Sequence, residues 1–359
     1  MFTKAVFPGK YIQGQGASSE LPALIAALGT RGLLLASPSA KGEASRVSGD
    51  GAIPVEVFRG ECCENELARL AAAISRASAD VLAVMGGGKA IDTAKIAADR
   101  AGIPVIVAPT IASTDAPTSG CAVLYSDEGV FERVLYQKAN PAAVLVDTAI
   151  IAAAPTRFLV AGMGDALSTW FEARSCVRTR SPNECGGTCT AAGLAIAKLC
   201  YDTLLSHGAS AKLACERHLV TPAFERIVEA NILLSGLGFE SAGLAAAHAI
   251  HNGLTALAET HAFYHGEKVA FGTLAGLQLT DAAPDEVEAV YAFCEEVGLP
   301  TTLADIGLGN ASRDHLAPAA EKACAPGQSI HHEAGEITPA KVLDAMLAAD
   351  ALGQLRKSR

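Results

Sequence analysis

Through about residue 150, short apolar runs alternate with segments of helical spacing, and no other feature of the chain restricts its fold as strongly. The runs are rich in β-branched residues and leucine, which predicts buried strands. They cover residues 32–37, 54–59, 80–85, 104–109 and 142–147. Helical spacing is found between them at residues 64–78 and 89–102. Strands and helices that alternate in this way predict a parallel sheet with helices on both faces.

Beyond residue 150 the apolar runs stop, and long segments rich in Ala, Leu and Glu take their place. These segments predict helices over residues 157–176, 187–207, 221–236, 241–258, 267–280, 284–297 and 338–354. Pro155 lies where the sequence pattern changes from strand-rich to helical. A chain of 359 residues is also too long for a single hydrophobic core of ordinary size. We therefore predict an α/β domain over residues 1–154 and an all-helical domain over residues 155–359.

Composition narrows the possible partners and the location. The chain has 28 basic and 38 acidic residues, a net charge of −10, and no cluster of basic residues along the sequence. This composition argues against binding to nucleic acid or to anionic membranes. The first residues lack the apolar core of a signal peptide, and no apolar run reaches the ~18 residues of a membrane span. We expect a cytoplasmic protein. Its ten cysteines are interpreted mainly as small buried side chains.

A glycine run follows the predicted strand at residues 80–85. Gly86, Gly87, Gly88 and Lys89 connect that strand to an amphipathic helix. Glycines allow a diphosphate to approach the backbone, and the N–H groups of the helix N-terminus attract it. The run is neither of the common nucleotide motifs and could equally be a tight connection between strand and helix. Its place at the carboxyl end of a strand favours a ligand-binding loop.

Three metal-ligating side chains occur beside glycines or other small residues. Asp165 follows two glycines at a helix start, His248 lies in a helix of small residues, and His265 precedes another glycine. One carboxylate and two imidazoles form a mixed oxygen and nitrogen set that suits Zn²⁺. Three protein ligands leave a coordination position for substrate, as catalytic sites do. His251, three residues after His248, is interpreted as a neighbouring pocket residue.

Several motifs together resemble the iron-containing alcohol dehydrogenase superfamily. GGGKAIDTAK at residues 86–95 is similar to its nucleotide loop, and PTIASTDAPTS at 109–119 resembles its glycerol dehydrogenase branch. The similarity continues through residues 162–173, 236–254 and 265–274, and so covers nearly the whole chain. It implies a dinucleotide-binding domain followed by an all-helical domain, an architecture like that of dehydroquinate synthase. It also implies a homo-oligomer, commonly an octamer in this branch.

The resemblance assigns roles to particular positions. Asp165, His248 and His265 match the ligands of one zinc ion per subunit. Iron-using relatives carry a histidine four residues after the aspartate, where this chain has Thr169, and this difference favours zinc. Asp115 matches a substrate-binding, catalytic position, although by itself it could simply form a turn before a proline. The cofactor-contacting positions are Gly87, Gly88, Lys89, Asp92, Thr110, Ser113, Ser119, Cys121 and Tyr125.

The resemblance implies NAD as the cofactor, with one difference that leaves NADP open. NAD-using relatives tend to carry an aspartate at the end of the second strand, where it binds the ribose and repels a 2′-phosphate. This chain has Ser37 there, followed by Pro38, Ser39 and then Lys41. The repelling carboxylate is therefore missing.

Taken together, these features predict a zinc-dependent dehydrogenase that converts a small polyol, glycerol to dihydroxyacetone, with NAD. The main alternative is a glycerol-1-phosphate dehydrogenase or another polyol or hydroxy-acid relative, although the motif segments near the ligands offer little positive charge beyond Lys268. A cyclase similar to dehydroquinate synthase should also be more basic there. A non-catalytic nucleotide-binding oligomer is the alternative outside enzymes, and the intact Asp/His/His set argues against it.

Overall fold

The computed structural model describes residues 2–49 and 51–358. The chain forms two compact units. One, the α/β unit, consists of Phe7–Phe158 and Ala214–Gly236. The other, the helical unit, consists of Leu159–Leu213, the part of the chain after Gly236, and the short segment before Phe7. The boundary between the predicted domains follows residue 154. In the structure the chain leaves the α/β unit after Phe158 and returns to it for the segment Ala214–Gly236.

A six-stranded, fully parallel sheet forms the centre of the α/β unit. Its strands, in chain order, are β1 (Tyr11–Gly14), β2 (Gly32–Ala36), β3 (Val55–Val57), β4 (Val81–Gly86), β5 (Val105–Pro109) and β8 (Ala143–Asp147). They lie side by side in the order β1-β8-β5-β4-β2-β3. A separate antiparallel pair, β6 (Cys121–Tyr125) and β7 (Phe131–Tyr136), stands apart from this sheet. All five predicted strands are present; β1, β6 and β7 were not predicted.

Helices bury both faces of the central strands, which explains why β2, β4, β5 and β8 are mainly apolar without alternation. Leu33 and Leu35 of β2 belong to one buried cluster, and Leu34 and Ala36 belong to the other. The helices of this unit are α1 (Leu21–Leu28), α2 (Lys41–Val47), α3 (Glu64–Ala77), α4 (Gly88–Ala101), α5 (Thr148–Ala153) and α8 (Pro222–Glu229). The predicted α/β fold with a parallel sheet is confirmed.

The rest of the described chain is helical, as predicted. Its helices are α6 (Thr156–Thr179), α7 (Ala191–Glu216), α9 (Ser235–Ala242), α10 (Ala246–Leu254), α11 (His265–Leu279), α12 (Pro284–Val297), α13 (Arg313–Ala323) and α14 (Pro339–Lys357). Of these, α13 was not predicted, and Pro318 lies inside it. α11 packs against α10 and α14, and α10 also packs against α13.

Helix α8 continues into α9 through a π-helical turn at Ala230–Leu234. A π turn shifts the hydrogen bonds from i→i−4 to i→i−5, so backbone carbonyls there can accept bonds from outside the helix. Within the described residues, no single helix has both the length and the hydropathy of a membrane span. The pair Pro222–Ala242 and Ala246–Leu254 meets that test only when the two are taken together.

Candidate metal centre and coenzyme loop

Two glycines bring helices α6 and α11 into backbone contact. A Cβ atom on Gly164 would lie 2.3 Å from the carbonyl oxygen of Gly266, and one on Gly266 would lie 1.8 Å from that of Ala161. Any larger residue would therefore push the helices apart. The contact places the neighbouring side chains together, because Asp165 follows Gly164 and His265 precedes Gly266. The Nε2 atom of His265 lies 3.1 Å from Oδ1 of Asp165.

A second close crossing adds His248 to this pair. On α11, a Cβ atom on Gly272 would lie 2.4 Å from the carbonyl oxygen of Ala247, the residue before His248 on α10. The Nε2 atom of His248 lies 3.4 Å from Oδ1 of Asp165. One ligand atom from each of Asp165, His248 and His265 lies within 4.8 Å of the others. The side chain of Asp165 is 1% exposed and that of His265 is 36% exposed, so the cluster is accessible on the His265 side.

Glu172 holds His248 in one orientation. Its Oε2 lies 2.6 Å from Nδ1 of His248, and its Oε1 accepts backbone N–H bonds from Ala245 and His248 at 2.8 and 3.0 Å. A neutral histidine that donates a hydrogen bond from Nδ1 to a carboxylate has a free lone pair on Nε2, as metal-binding histidines do. Sequence reasoning missed Glu172, although it lies seven residues, about two helical turns, after Asp165 and therefore on the same face of α6.

A chain of side chains orients His265 in a similar way. The Nδ1 atom of His265 lies 3.0 Å from Nε2 of His251, and Nδ1 of His251 lies 3.1 Å from Oδ1 of Asn252. Asn252 in turn donates to Gln328 over 3.0 Å. Because an amide oxygen can only accept a hydrogen bond, Nδ1 of His251 donates one to Asn252. Nε2 of His251 then accepts a hydrogen bond from the Nδ1–H group of His265. His265 then presents Nε2 to Asp165, and His251 supports the cluster from outside it.

The charges in this cluster suit a divalent cation. Burial opposes ionisation of Asp165, but without a metal the protonated imidazoles of His265 and His248 outweigh burial and hold the pKa of the carboxyl below its usual value; a cation would take the place of those protons. Burial likewise opposes ionisation of Glu172, whose pKa is nevertheless lowered by His248. Burial, together with His265 and Lys268, keeps the pKa of His251 well below its usual value, so this ring is neutral. An ionised carboxylate and two oriented imidazoles fit zinc, and the fit rests on this donor set.

The position that carries a histidine in iron-using relatives has no such ligand here. Thr169 is buried one turn after Asp165, and a Cβ atom on Gly238 would lie 2.4 Å from its methyl group. A close backbone approach therefore occupies the space that a larger ring would need.

In the α/β unit, the glycine run lies where the sequence predicts a coenzyme loop. β4 ends at Gly86, Gly87 precedes α4, and Gly88 is the first residue of that helix. A Cβ atom on Gly88 would meet nothing closer than 4.0 Å, at the hydroxyl of Thr114. The backbone N–H of Thr110, at the end of β5, donates to the carbonyl of Gly86 over 3.0 Å. Gly87, Gly88 and Thr110 therefore lie together at the carboxyl edge of the sheet.

Several of the other residues predicted to contact the coenzyme also contact neighbouring residues of the protein. Lys89 is paired with Glu61 at 2.5 Å and lies over the ring of Tyr125. Asp92 is buried and accepts the backbone N–H of Val123, so it links α4 to β6. Ser119 is also buried, and the thiol of Cys121 lies 3.5 Å from its hydroxyl. Ser113 lies in the loop after β5. Coenzyme contacts by these residues stay predictions.

The loop that carries Asp115 is fastened to the helix with the π turn. Ser235 donates to Oδ2 of Asp115 over 2.7 Å. Thr118 donates over 3.0 Å to the carbonyl of Ile232, which lies inside the π turn. A Cβ atom on Gly236 would lie 1.8 Å from the hydroxyl oxygen of Thr118, so the loop touches the helix backbone. Sequence reasoning missed Ser235, because nothing in the local pattern connects it with a loop 120 residues earlier.

Comparison with known proteins identifies the family. The model of the iron-containing alcohol dehydrogenases matches residues 8–148. The glycerol dehydrogenase of Thermotoga maritima is 50% identical to this chain, over 100% of both. The chain belongs to the glycerol dehydrogenase branch of the iron-containing alcohol dehydrogenase family. Its enzyme class is that of the metal-containing, NAD-linked alcohol dehydrogenases, and the resemblance found in the sequence is confirmed.

Two further relatives agree with this assignment. The glycerol dehydrogenase of Escherichia coli O6:H1 is 50% identical over 97% of this chain and 96% of that protein. The solved structure of a probable glycerol dehydrogenase from Sinorhizobium meliloti 1021 has a TM-score of 0.93 and 49% identity, over 98% of this chain and 99% of that one.

Proposed function

We propose that this enzyme oxidises a small polyol, glycerol to dihydroxyacetone, with NAD as the hydride acceptor and one zinc ion per subunit. The observation that carries the proposal is the convergence of Asp165, His248 and His265, whose ligand atoms lie within 4.8 Å of one another. The orientation of both imidazoles by Glu172 and His251 supports it. The glycerol dehydrogenases that are 50% identical to this chain support the choice of substrate.

Each group has a defined task in this reaction. A bound divalent metal lowers the pKa of an alcohol, so that its proton can leave near neutral pH. Asp165, His248 and His265 hold that metal with one negative charge among them. Asp115 accepts a hydrogen bond from a second hydroxyl of the polyol, which a mono-alcohol does not have. The backbone of the glycine run binds the coenzyme diphosphate, and this binding positions the nicotinamide for hydride transfer.

A phosphorylated substrate is a weaker candidate. Lys268, the cation that the sequence places near the candidate ligands, is only 7% exposed, and burial lowers its pKa. A buried lysine of this kind is poorly placed to bind a phosphate dianion. A homo-oligomer, with an octamer as the form expected for this branch, and a cytoplasmic location stay predictions from the sequence.

The metal assignment is tested with three histidine variants of the full chain. His248→Ala and His265→Ala should lose zinc on desalting and lose glycerol oxidation, because each removes a ligand. NADH binding, followed by fluorescence, should be retained, because the glycine run belongs to the α/β unit. His251→Ala should keep zinc with an affinity about 10- to 100-fold weaker, as expected for a residue that orients a ligand.

His261→Ala is the matched control, because this histidine is exposed and lies outside the ligand cluster. It should keep both zinc and activity. Retention of stoichiometric zinc by His248→Ala or His265→Ala would show that the ligand assignment is wrong. Zinc-loaded native enzyme that fails to oxidise glycerol with NAD would instead refute the proposed substrate.

A further inference from the structure

The end of strand β2 lacks the acid that selects NAD in dinucleotide-binding sheets. In such sheets an Asp or Glu after the first βα unit binds the 2′-hydroxyl of the adenine ribose, and a basic residue nearby accommodates a 2′-phosphate instead. Here β2 ends at Ala36 and Ser37 follows. The backbone N–H of Ser37 donates to the carbonyl of Met85 over 2.9 Å, and a Cβ atom on Gly86 would lie 3.2 Å from that of Ser37. Ser37 therefore lies directly beside the glycine run.

Two carboxylates that follow β2 and β3 in sequence, those of Glu43 and Glu61, are already paired with cations. Glu43 accepts hydrogen bonds from the guanidinium of Arg46 and, over 2.9 Å, from the hydroxyl of Ser18. Arg46 is the main cause of the lowered pKa of Glu43. Glu61, which follows β3, is paired with Lys89 at 2.5 Å. Neither carboxylate is placed to accept the ribose hydroxyls without giving up its cation.

Two exposed cations, Lys41 and Arg59, lie at the same edge. Lys41 follows Ser37 by four residues. Arg59 lies beside the end of β2, because Ala36 pairs with Val57 and the N–H of Phe58, the residue before Arg59, donates to the carbonyl of Ala36 over 2.8 Å. Both side chains are exposed, and neither forms an ion pair within the described part of the chain. The hydroxyls of Ser37 and Ser39, 3.2 Å apart, lie at the same strand end.

We propose that Ser37, Ser39, Lys41 and Arg59 form a subsite for a phosphate on the 2′-oxygen of the adenine ribose, so that the enzyme takes NADP as well as NAD. The proposal rests on the proposed function, in which the glycine run binds the diphosphate. The ribose next to that diphosphate then lies over β2, the neighbour of β4 in the sheet. A phosphate monoester carries nearly two negative charges at neutral pH, which an ammonium and a guanidinium balance.

The binding test compares two ligands that differ only in the 2′-phosphate, 2′,5′-ADP and 5′-AMP, by calorimetry on the metal-loaded enzyme. The native protein should bind 2′,5′-ADP at least as tightly as 5′-AMP. Lys41→Gln and Arg59→Gln should each weaken 2′,5′-ADP about tenfold, the value of one charge-assisted bond, and leave 5′-AMP within about twofold. Ser37→Asp should likewise favour 5′-AMP, because the new carboxylate repels the phosphate.

Lys10→Gln is the matched control, because Lys10 is exposed and precedes β1 at the amino edge of the same sheet. It should leave the affinity for both ligands unchanged. If native enzyme binds 5′-AMP more than about tenfold tighter than 2′,5′-ADP, or if Lys41→Gln and Arg59→Gln leave 2′,5′-ADP unchanged, the subsite does not exist.

Turnover separates this inference from the function on which it rests. Glycerol oxidation with both NAD and NADP supports both proposals. Oxidation with NAD alone overturns the subsite and leaves the proposed function intact. Tight, Arg59-dependent binding of 2′,5′-ADP without glycerol turnover by either coenzyme supports the subsite and overturns glycerol as the substrate.

Discussion

At the scale of single residues, Asp115 has two competing interpretations. It could simply stabilise a turn, or it could bind a substrate hydroxyl. In the structure its Oδ2 accepts a bond from Ser235 over 2.7 Å, so the side chain reaches the following helix as well as its own loop. A serine hydroxyl would bond equally well to an amide oxygen, which makes asparagine a clean substitution at this position.

We expect Asp115→Asn to lower kcat/KM for glycerol roughly tenfold, which corresponds to a rise of about 1–2 kcal/mol in the activation free energy. The reason is that the hydrogen bond to the substrate loses its charged acceptor. The loss for propan-2-ol should be much smaller, because that alcohol has no second hydroxyl. Steady-state kinetics on the two substrates measure the difference. Asp127→Asn, at an exposed carboxylate of the same unit, is the control. Equal losses on both alcohols, or a matching fall in Tm, would leave Asp115 a purely structural residue.

The sequence singled out Asp165, His248 and His265 because their motifs and small neighbours are local, and the structure places them together. It did not single out Glu172 or Ser235. A glutamate in a long helix carries no sign that it orients a histidine 76 residues later. Residues that act through another residue are recognised by distance in space, and sequence spacing reveals them only when both lie on one element.

At the scale of elements, the ligand cluster depends on two helix crossings that only glycine permits. Gly266→Ala should destabilise the helical unit and weaken zinc binding, because the new methyl group would lie 1.8 Å from the carbonyl oxygen of Ala161 and separate Asp165 from His265. Forcing a group into a packed contact of this kind costs about 1–3 kcal/mol. Urea unfolding and zinc titration measure the two effects.

Gly276→Ala is a matched control on the same helix, α11. Its new Cβ atom would lie 3.4 Å from that of Ala246, an ordinary contact. Alanine also favours the helix by about 1 kcal/mol over glycine, so this variant should be neutral or slightly more stable. If Gly266→Ala behaves like Gly276→Ala, backbone contact between α6 and α11 does not hold the cluster.

Which elements could be predicted follows from how they are buried. Strands β2, β4, β5 and β8 are mainly apolar because both faces of the sheet are covered there, and the sequence predicted all four of them as well as β3, which is half-buried and contains Glu56. β7 is exposed along nearly its whole length, so its mixture of polar and apolar residues carries no burial signal. The π turn at Ala230–Leu234 was also missed, because a single shifted turn changes the hydrogen bonds without changing the apolar period.

At the scale of the whole molecule, the sequence could not show that the chain returns to the α/β unit. Residues 221–236 were predicted as a helix, but an apolar face does not say which neighbour covers it. Besides its buried apolar face, this helix makes polar contacts with residues that are distant in sequence. Glu225 accepts a bond from Gln13 of β1 over 2.9 Å and one from Thr148 of α5 over 2.8 Å. One carboxylate thus fixes this helix to a strand at the edge of the sheet, and the two bonded residues are 212 positions apart in the sequence.

The stability of the α/β unit should depend on pH through Asp147, the last residue of β8. Its carboxylate accepts backbone N–H bonds from Gly16, Ser18 and Ala149 at 3.0–3.1 Å and so joins the segment after β1 to the start of α5. Burial opposes its ionisation, but a hydrogen bond from the side chain of Ser18, together with these backbone bonds, outweighs burial and lowers the pKa of Asp147. A pKa that is lower in the folded state than the unfolded value of about 3.9 stabilises the fold above that value, and this contribution is lost as the pH falls.

Asp147→Asn keeps the shape of the side chain but turns an NH₂ group toward these N–H donors. We expect it to lower the free energy of unfolding by about 1.5–3 kcal/mol at pH 7, the range for bonds to a charged group. The difference from the native protein should shrink as the pH falls below about 4, the pKa of the unfolded carboxyl, because the unfolded chain then binds a proton that the folded carboxylate does not. Urea unfolding between pH 7 and pH 3 measures this difference, with Glu128→Gln at an exposed site of the same unit as the control. A difference that stays constant over this pH range would mean that the side chain stabilises the unit through its shape, and that its charge contributes nothing.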